Sequence, residues 1–266
     1  MVVGLDRVRA HFADHADQYV LIGGVATQLA LADAGIAFRP TKDLDIVLLA
    51  EALGPAFVRC FWDFVRLGEY AVQAKATVGP DGAPSKRCLY RFQKPERPDF
   101  PATLELFSRS PDTLTLDGPG HLVPIAVSDD VSSLSAILLD DGYYALIGQY
   151  RTQRAGLPVL REEALIVLKG RAWLDLTERK AQGAAVDSRD IRKHATDVMR
   201  LTLLLTPTTH VDLPEAIRLD LARFVAQAPG TLGDTLKIEG FGDLKVTTAI
   251  DNLVRAFARD ATAPSR

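Results

Sequence analysis

The run Tyr19-Val20-Leu21-Ile22-Gly23-Gly24-Val25-Ala26, followed by Arg39-Pro40-Thr41-Lys42-Asp43-Leu44-Asp45-Ile46-Val47, sets the architecture of the first half of the chain. Four successive apolar residues suit a buried strand, and the glycine pair ends it. Val25 to Ala34 then has a helical pattern that Gly35 stops, and Leu44 to Leu49 forms the next buried strand. The expected order is strand, glycine turn, helix, strand. Side chains alternate across a strand, so Asp43 and Asp45 share one face while Leu44 and Ile46 enter the sheet. Two carboxylates ~4 Å apart repel by about 4 kcal/mol at an effective dielectric near 20. A bound divalent cation reverses that cost, and magnesium, a hard cation that takes carboxylate and phosphate oxygens together, suits the pair.

Working outward, Leu5, Val8 and Phe12 fit a short amphipathic helix, and residues 51 to 67 fit a second with Phe57, Phe61, Phe64 and Leu67 on its apolar side. Gly79 to Gly82 marks an exposed turn. Strand-like runs follow at Cys88 to Phe92, Thr103 to Phe107 and Leu122 to Val127. Ser133 to Leu139 and Tyr143 to Gln149 flank Asp140-Asp141-Gly142, which is expected to turn a hairpin. Within Thr103 to Phe107, Glu105 is an acid framed by Leu104 and Leu106, costly to bury without a partner. It is the candidate third carboxylate. After Pro158 the pattern becomes helical, at Arg161 to Lys180, Asp187 to Leu205, Asp212 to Ala228 and Asp243 to Arg259. The expected fold is α+β, a mixed sheet flanked by helices in residues 1–158 and a helical domain in 159–266 that closes over the site.

Composition narrows the class. The 266 residues are 47% hydrophobic and 24% charged, average for a folded globular chain, with a net charge of −3 and no block of like charges. Nothing here predicts a broad nucleic-acid footprint, although Arg151 to Lys193 is locally rich in arginine and lysine. Cys60 and Cys88 lack metal-ligand spacing and are expected to be reduced thiols. The start of the chain has no apolar signal segment, and Tyr19 to Phe38 is interrupted by Gly23-Gly24, Gln28 and Asp33, so no membrane span and a cytoplasmic location are expected.

The glycine pair, the Asp-x-Asp and the surrounding residues resemble the minimal nucleotidyltransferase signature of the polymerase-β-like superfamily, near its AbiEii and MenT-type branch. Glu163 to Trp173, with Asp187 to Leu201 behind it, is similar to that branch's lysine-bearing and acid-bearing helices. The resemblance spans about residues 19 to 201. It implies that Gly23, Gly24 and Thr41 lie against a nucleoside triphosphate, and that Asp43, Asp45 and Glu105 ligate two magnesium ions. It further implies that Lys169 contacts the triphosphate and that an acid of the later helix, Asp197 ahead of Asp190, completes the catalytic set. Glu105 would also help to deprotonate the acceptor. The implied reaction moves a nucleotide from the triphosphate to an acceptor hydroxyl. For this branch the acceptor would be tRNA or another macromolecule, as in the toxin of a type IV toxin–antitoxin pair with a cognate antitoxin. Modification of a small antibiotic is the rival acceptor class, and a non-catalytic nucleotide- or partner-binding module is the rival from outside enzymology.

Overall fold

The computed structural model describes residues 2–39, 41–49, 52–72, 88–108, 137–138 and 140–258. The chain divides into two compact units, Met1–Leu29 with Arg39–Arg161, and Ala30–Phe38 with Glu162–Arg266. The fold is mixed α/β, with the sheet and several helices in the N-terminal half and a mostly helical C-terminal part.

In the first unit, α1 (Leu5–His11) precedes β1 (Tyr19–Leu21), and α2 (Gly23–Asp33) leads to β2 (Asp43–Leu48). Then come α3 (Pro55–Gly68), β3 (Ala71–Val72), β4 (Cys88–Gln93), β5 (Thr103–Ser108), α4 (Asp141–Gln149), β6 (Arg151–Arg154) and β7 (Leu157–Leu160). The described strands form one seven-stranded sheet in the order β3-β4-β5-β2-β1-β7-β6. Strand β2 runs parallel to β5 and β1 parallel to β7; the other pairings are antiparallel. Leu44, Ile46, Leu104, Leu106 and Phe92 are buried. Phe57, Phe61 and Phe64 of α3 are also buried, and they meet Phe12, Tyr19, Phe92 and Phe100 in one aromatic cluster. Each ring contributes roughly 1.5–3 kcal/mol of burial free energy. Leu67, expected on the same side, is instead 53% exposed. At six residues past Phe61 it lies well off the stripe that Phe57, Phe61 and Phe64 share.

Two further expectations change. Tyr143 to Gln149 is not a strand of a hairpin but the body of α4. Asp140 caps that helix, its carboxylate accepting from the amides of Gly142 at 2.9 Å and Tyr143 at 3.2 Å. Asp-Gly fits a hairpin turn, yet Tyr143, Tyr144, Leu146 and Ile147 are buried together, a helical spacing that alternation would break. The true hairpin lies just beyond, where β6 and β7 turn through Ala155 and Gly156, both at positive φ as a tight hairpin demands. In the second unit the last helix begins at Val246 rather than Asp243, because Gly242–Lys245 pairs with Thr235–Ile238 as a β-hairpin. The expected turn at Gly79 to Gly82, the strand Leu122 to Val127 and most of Ser133 to Leu139 lie outside the described residues.

The second unit holds α5 (Glu162–Ala181), α6 (Ser188–Leu201), α7 (Glu215–Gln227), β8 (Thr235–Ile238), β9 (Gly242–Lys245) and α8 (Val246–Phe257). Its core sets Trp173 of α5 against Phe224 of α7, and Met199 of α6, Leu221 of α7 and Leu253 of α8 are buried too. Among the described residues no helix is long and apolar enough to cross a membrane; Tyr19 to Phe38 is β1, α2 and the segment after it.

Candidate functional site

The register of three neighbouring strands builds a polar grid. Asp43 of β2 pairs with Thr103 of β5, and Asp45 with Glu105. Across the other edge of β5, Gln93 pairs with Thr103 and Arg91 with Glu105. Directly paired residues project to the same side of a sheet, so Asp43, Asp45, Thr103, Glu105, Arg91 and Gln93 share one face. The opposite face carries Leu44, Ile46, Leu104 and Leu106, all buried. On the polar face exposure falls from Asp43, which is exposed, through the half-buried Asp45, to Glu105 at 3%.

Glu105 is the electrostatic centre of the grid. Arg91 Nε donates to its Oε1 at 2.7 Å, and Arg91 Nη2 donates to the same oxygen. Even so, burial pushes the Glu105 carboxyl above its ordinary value, against the downward pull of Arg91 and of a hydrogen bond with Asp45, and the Asp43 charge adds to the rise. A hydrogen bond between two carboxyls needs a proton on one of them. Among the described residues three acids and one guanidinium share this face, which leaves negative charge in surplus there.

The glycine pair closes over the same acids. Gly23 has φ 62°, and a Cβ placed there would stand 1.8 Å from Asp45 Oδ2. A Cβ on Gly24 would stand 2.7 Å from Thr41 Oγ1. Only glycine lets this backbone touch the Asp45 carboxylate and the Thr41 hydroxyl. The turn is pinned on both sides. Ile22 N–H donates to the Asp45 carbonyl at 3.0 Å, and Thr27 Oγ1 donates to the Gly23 carbonyl at 2.7 Å. Helix α2 starts at Gly23, so its first amides, which have no partner within the helix, emerge beside Asp45.

The donor chemistry suits a hard divalent cation. Carboxylate oxygens line one face, and Asp45 lies opposite Glu105, where a cation would offset the charge of the acids. The fit concerns Asp43, Asp45 and the part of Glu105 not held by Arg91. Among the described residues no group of three His, Cys, Asp or Glu side chains converges on one point.

The two later residues stand together in the second unit. Lys169 of α5 donates from Nζ to Asp197 Oδ2 of α6 at 2.9 Å, with both side chains almost fully buried, and Arg200 approaches the other Asp197 oxygen at 3.8 Å. Asp190 lies half-buried in the first turn of α6. Arg91 is the member of the site that the sequence pattern did not single out. Its signal was present, since Cys88 to Phe92 was expected as a strand, but its partner depends on a β4–β5 register that no local pattern fixes. Compared with family models, curated proteins and solved structures, the chain matches none.

Proposed function

We propose that this chain is a magnesium-dependent nucleotidyltransferase that transfers a nucleoside monophosphate from a nucleoside triphosphate to an acceptor hydroxyl. The observation that carries the reading is the placement of Asp45 between the Gly23 backbone and the Glu105 carboxyl. An acid pair whose Glu105 carboxyl burial pushes above its ordinary value, beside a helix start suited to anions, is a place for a cation and a phosphate together.

Asp43 and Asp45 would hold the metal, with Glu105, which Arg91 holds, opposite Asp45. When bound, magnesium supplies charge neutralisation for the phosphates and acidifies a coordinated hydroxyl. The chain's own groups do the rest. Gly23 and Gly24 admit the triphosphate to the backbone, and the first amides of α2 face its oxygens. Thr41 Oγ1, against Gly24, offers a neutral hydrogen bond at the same place. Glu105 holds a proton more tightly than an ordinary carboxylate, which suits a group that accepts one from the attacking hydroxyl. Arg91 fixes the Glu105 carboxylate in place. Lys169 and Asp197 pin α5 to α6 within the second unit. A tRNA acceptor and membership of a toxin–antitoxin pair rest on the sequence resemblance, and a cytoplasmic setting rests on the thiols expected to be reduced.

The test incubates wild-type and Asp43→Ala/Asp45→Ala protein with each α-labelled nucleoside triphosphate, magnesium, and either total tRNA or an aminoglycoside. Transfer by the wild type and a loss on the order of 10³-fold in the variant are expected, because metal ligation supplies several kcal/mol and each 1.4 kcal/mol is tenfold. Equal activity of the two proteins would end the assignment.

A further inference from the structure

A cavity of about 690 Å³ opens at the β5 side of the acids, lined by residues of the first unit alone. Besides Val2 and Val3, its walls come from two segments. Thr41 and Lys42 lead into β2, and Gln93 to Thr103 joins β4 to β5. Three cations border it, Lys42, Lys94 and Arg97, together with Thr41, Thr103 and Phe100, and no lining residue is acidic. Lys42, Lys94 and Arg97 are all exposed. Asp99 meets Arg97 at 3.7 Å but is shared with Arg7, and neither Asp99 nor Glu96 of the same segment lines the cavity.

Position relative to the acids gives the cavity its role. The Gly23-Gly24 turn approaches Asp45 from the β1 side, whereas Thr103, the register partner of Asp43, lines the cavity on the other. A transfer reaction needs two substrates on either side of its acids, and the glycine turn takes one. We infer that this cavity binds a phosphate-bearing acceptor, with room for a terminal nucleotide and cations for its phosphates. The inference rests on the transferase reading for the word acceptor, but the binding itself does not. A volume of this size fits a ligand of one nucleotide, within the range of about 300–1,000 Å³ for small-ligand sites. The same cations disfavour a polycationic amino sugar, which would meet Lys42, Lys94 and Arg97 with like charge.

The experiment measures binding of a fluorescein-labelled single-stranded RNA oligonucleotide by anisotropy across a salt series, with chelator present and no triphosphate. Wild type is compared with Lys42→Ala/Lys94→Ala/Arg97→Ala. An Arg59→Ala/Lys180→Ala/Arg189→Ala protein loses the same net charge from exposed residues that do not line the cavity. The cavity variant is expected to bind about tenfold more weakly and to lower the log–log salt slope by about 2, at roughly 0.7 for each single-strand phosphate that the three side chains cease to neutralise. The control variant keeps most of the wild-type affinity. All six substitutions are at exposed positions, and circular dichroism melts confirm that both variants fold. Competition by AMP as effective as by unlabelled oligonucleotide assigns the cavity to a single nucleotide; much weaker competition assigns it to a strand end, and either supports the inference. Unchanged binding in the cavity variant overturns it, as does labelling of an aminoglycoside in place of RNA by the wild type, which leaves the transferase intact. Cavity-dependent binding with no transfer from any triphosphate keeps the binding site and removes the transferase reading instead.

Discussion

In the helices of the second unit, Asp197 is met by two cations, Lys169 at 2.9 Å and Arg200 at 3.8 Å. In the sheet of the first, Glu105 is met, among the described residues, by the guanidinium of Arg91 and crowded by Asp45 and Asp43. Both carboxylates are buried, yet one environment is rich in positive charge and the other in negative. A buried acid with cations to spare can complete its hydrogen bonds within the protein and serves to hold elements in register. A buried acid among other acids must keep a proton or recruit a cation. On the proposed reading, the difference separates an ion pair that ties two helices together from a site suited to a ligand.

The largest expected effect breaks the balanced side of this comparison. Lys169→Ala takes from the buried Asp197 the cation 2.9 Å away, and should cost about 3–5 kcal/mol in denaturant unfolding. A Lys169→Met/Asp197→Leu protein, which removes both charges at similar volume, should recover most of that loss. If the recovered protein showed a raised KM for the triphosphate with kcat unchanged, Lys169 would be touching substrate as well as Asp197, and the two regions would differ less than their charge balance implies. On the sheet side, Gly23→Ala forces a Cβ into the Asp45 carboxylate at a positive φ, and a loss of roughly 1–3 kcal/mol is expected from thermal melts. An unshifted melt would mean that the turn relaxes away from Asp45 without cost.

The finest test is of proton and cation exchange. Because burial raises the Glu105 value above 4.5, its contribution to stability is fully present below pH 4.5 and is lost as pH rises through the raised folded value. In chelator the melting temperature should therefore fall over that window, magnesium should restore it on the alkaline side, and Glu105→Gln should flatten the dependence. A wild-type profile that magnesium leaves untouched would mean that Arg91 alone satisfies Glu105.

Local pattern made much of this legible. The apolar run, glycine pair and Asp-x-Asp announced strand, turn, helix and strand, and the helical stripes of α5, α6 and α7 were readable from their spacing. Asp140-Asp141-Gly142 misled because aspartate serves both a hairpin turn and a helix N-cap, and only the shared burial of Tyr143, Tyr144, Leu146 and Ile147 decides between them. The β8–β9 hairpin went unseen because two four-residue strands leave little periodicity to detect.

The sequence by itself determined that Asp43 and Asp45 share a face, that Glu105 stands among apolar neighbours, and that the chain passes from a mixed sheet to helices. These are consequences of side-chain alternation and helical period, which neighbouring residues fix. Only the tertiary structure decided that Asp45 lies opposite Glu105, that Arg91 lies opposite Glu105 in turn, and that Lys169 lies against Asp197. Such pairings join residues from 14 to 60 positions apart. They depend on strand register and helix packing, which the burial of the whole core selects and no local run encodes.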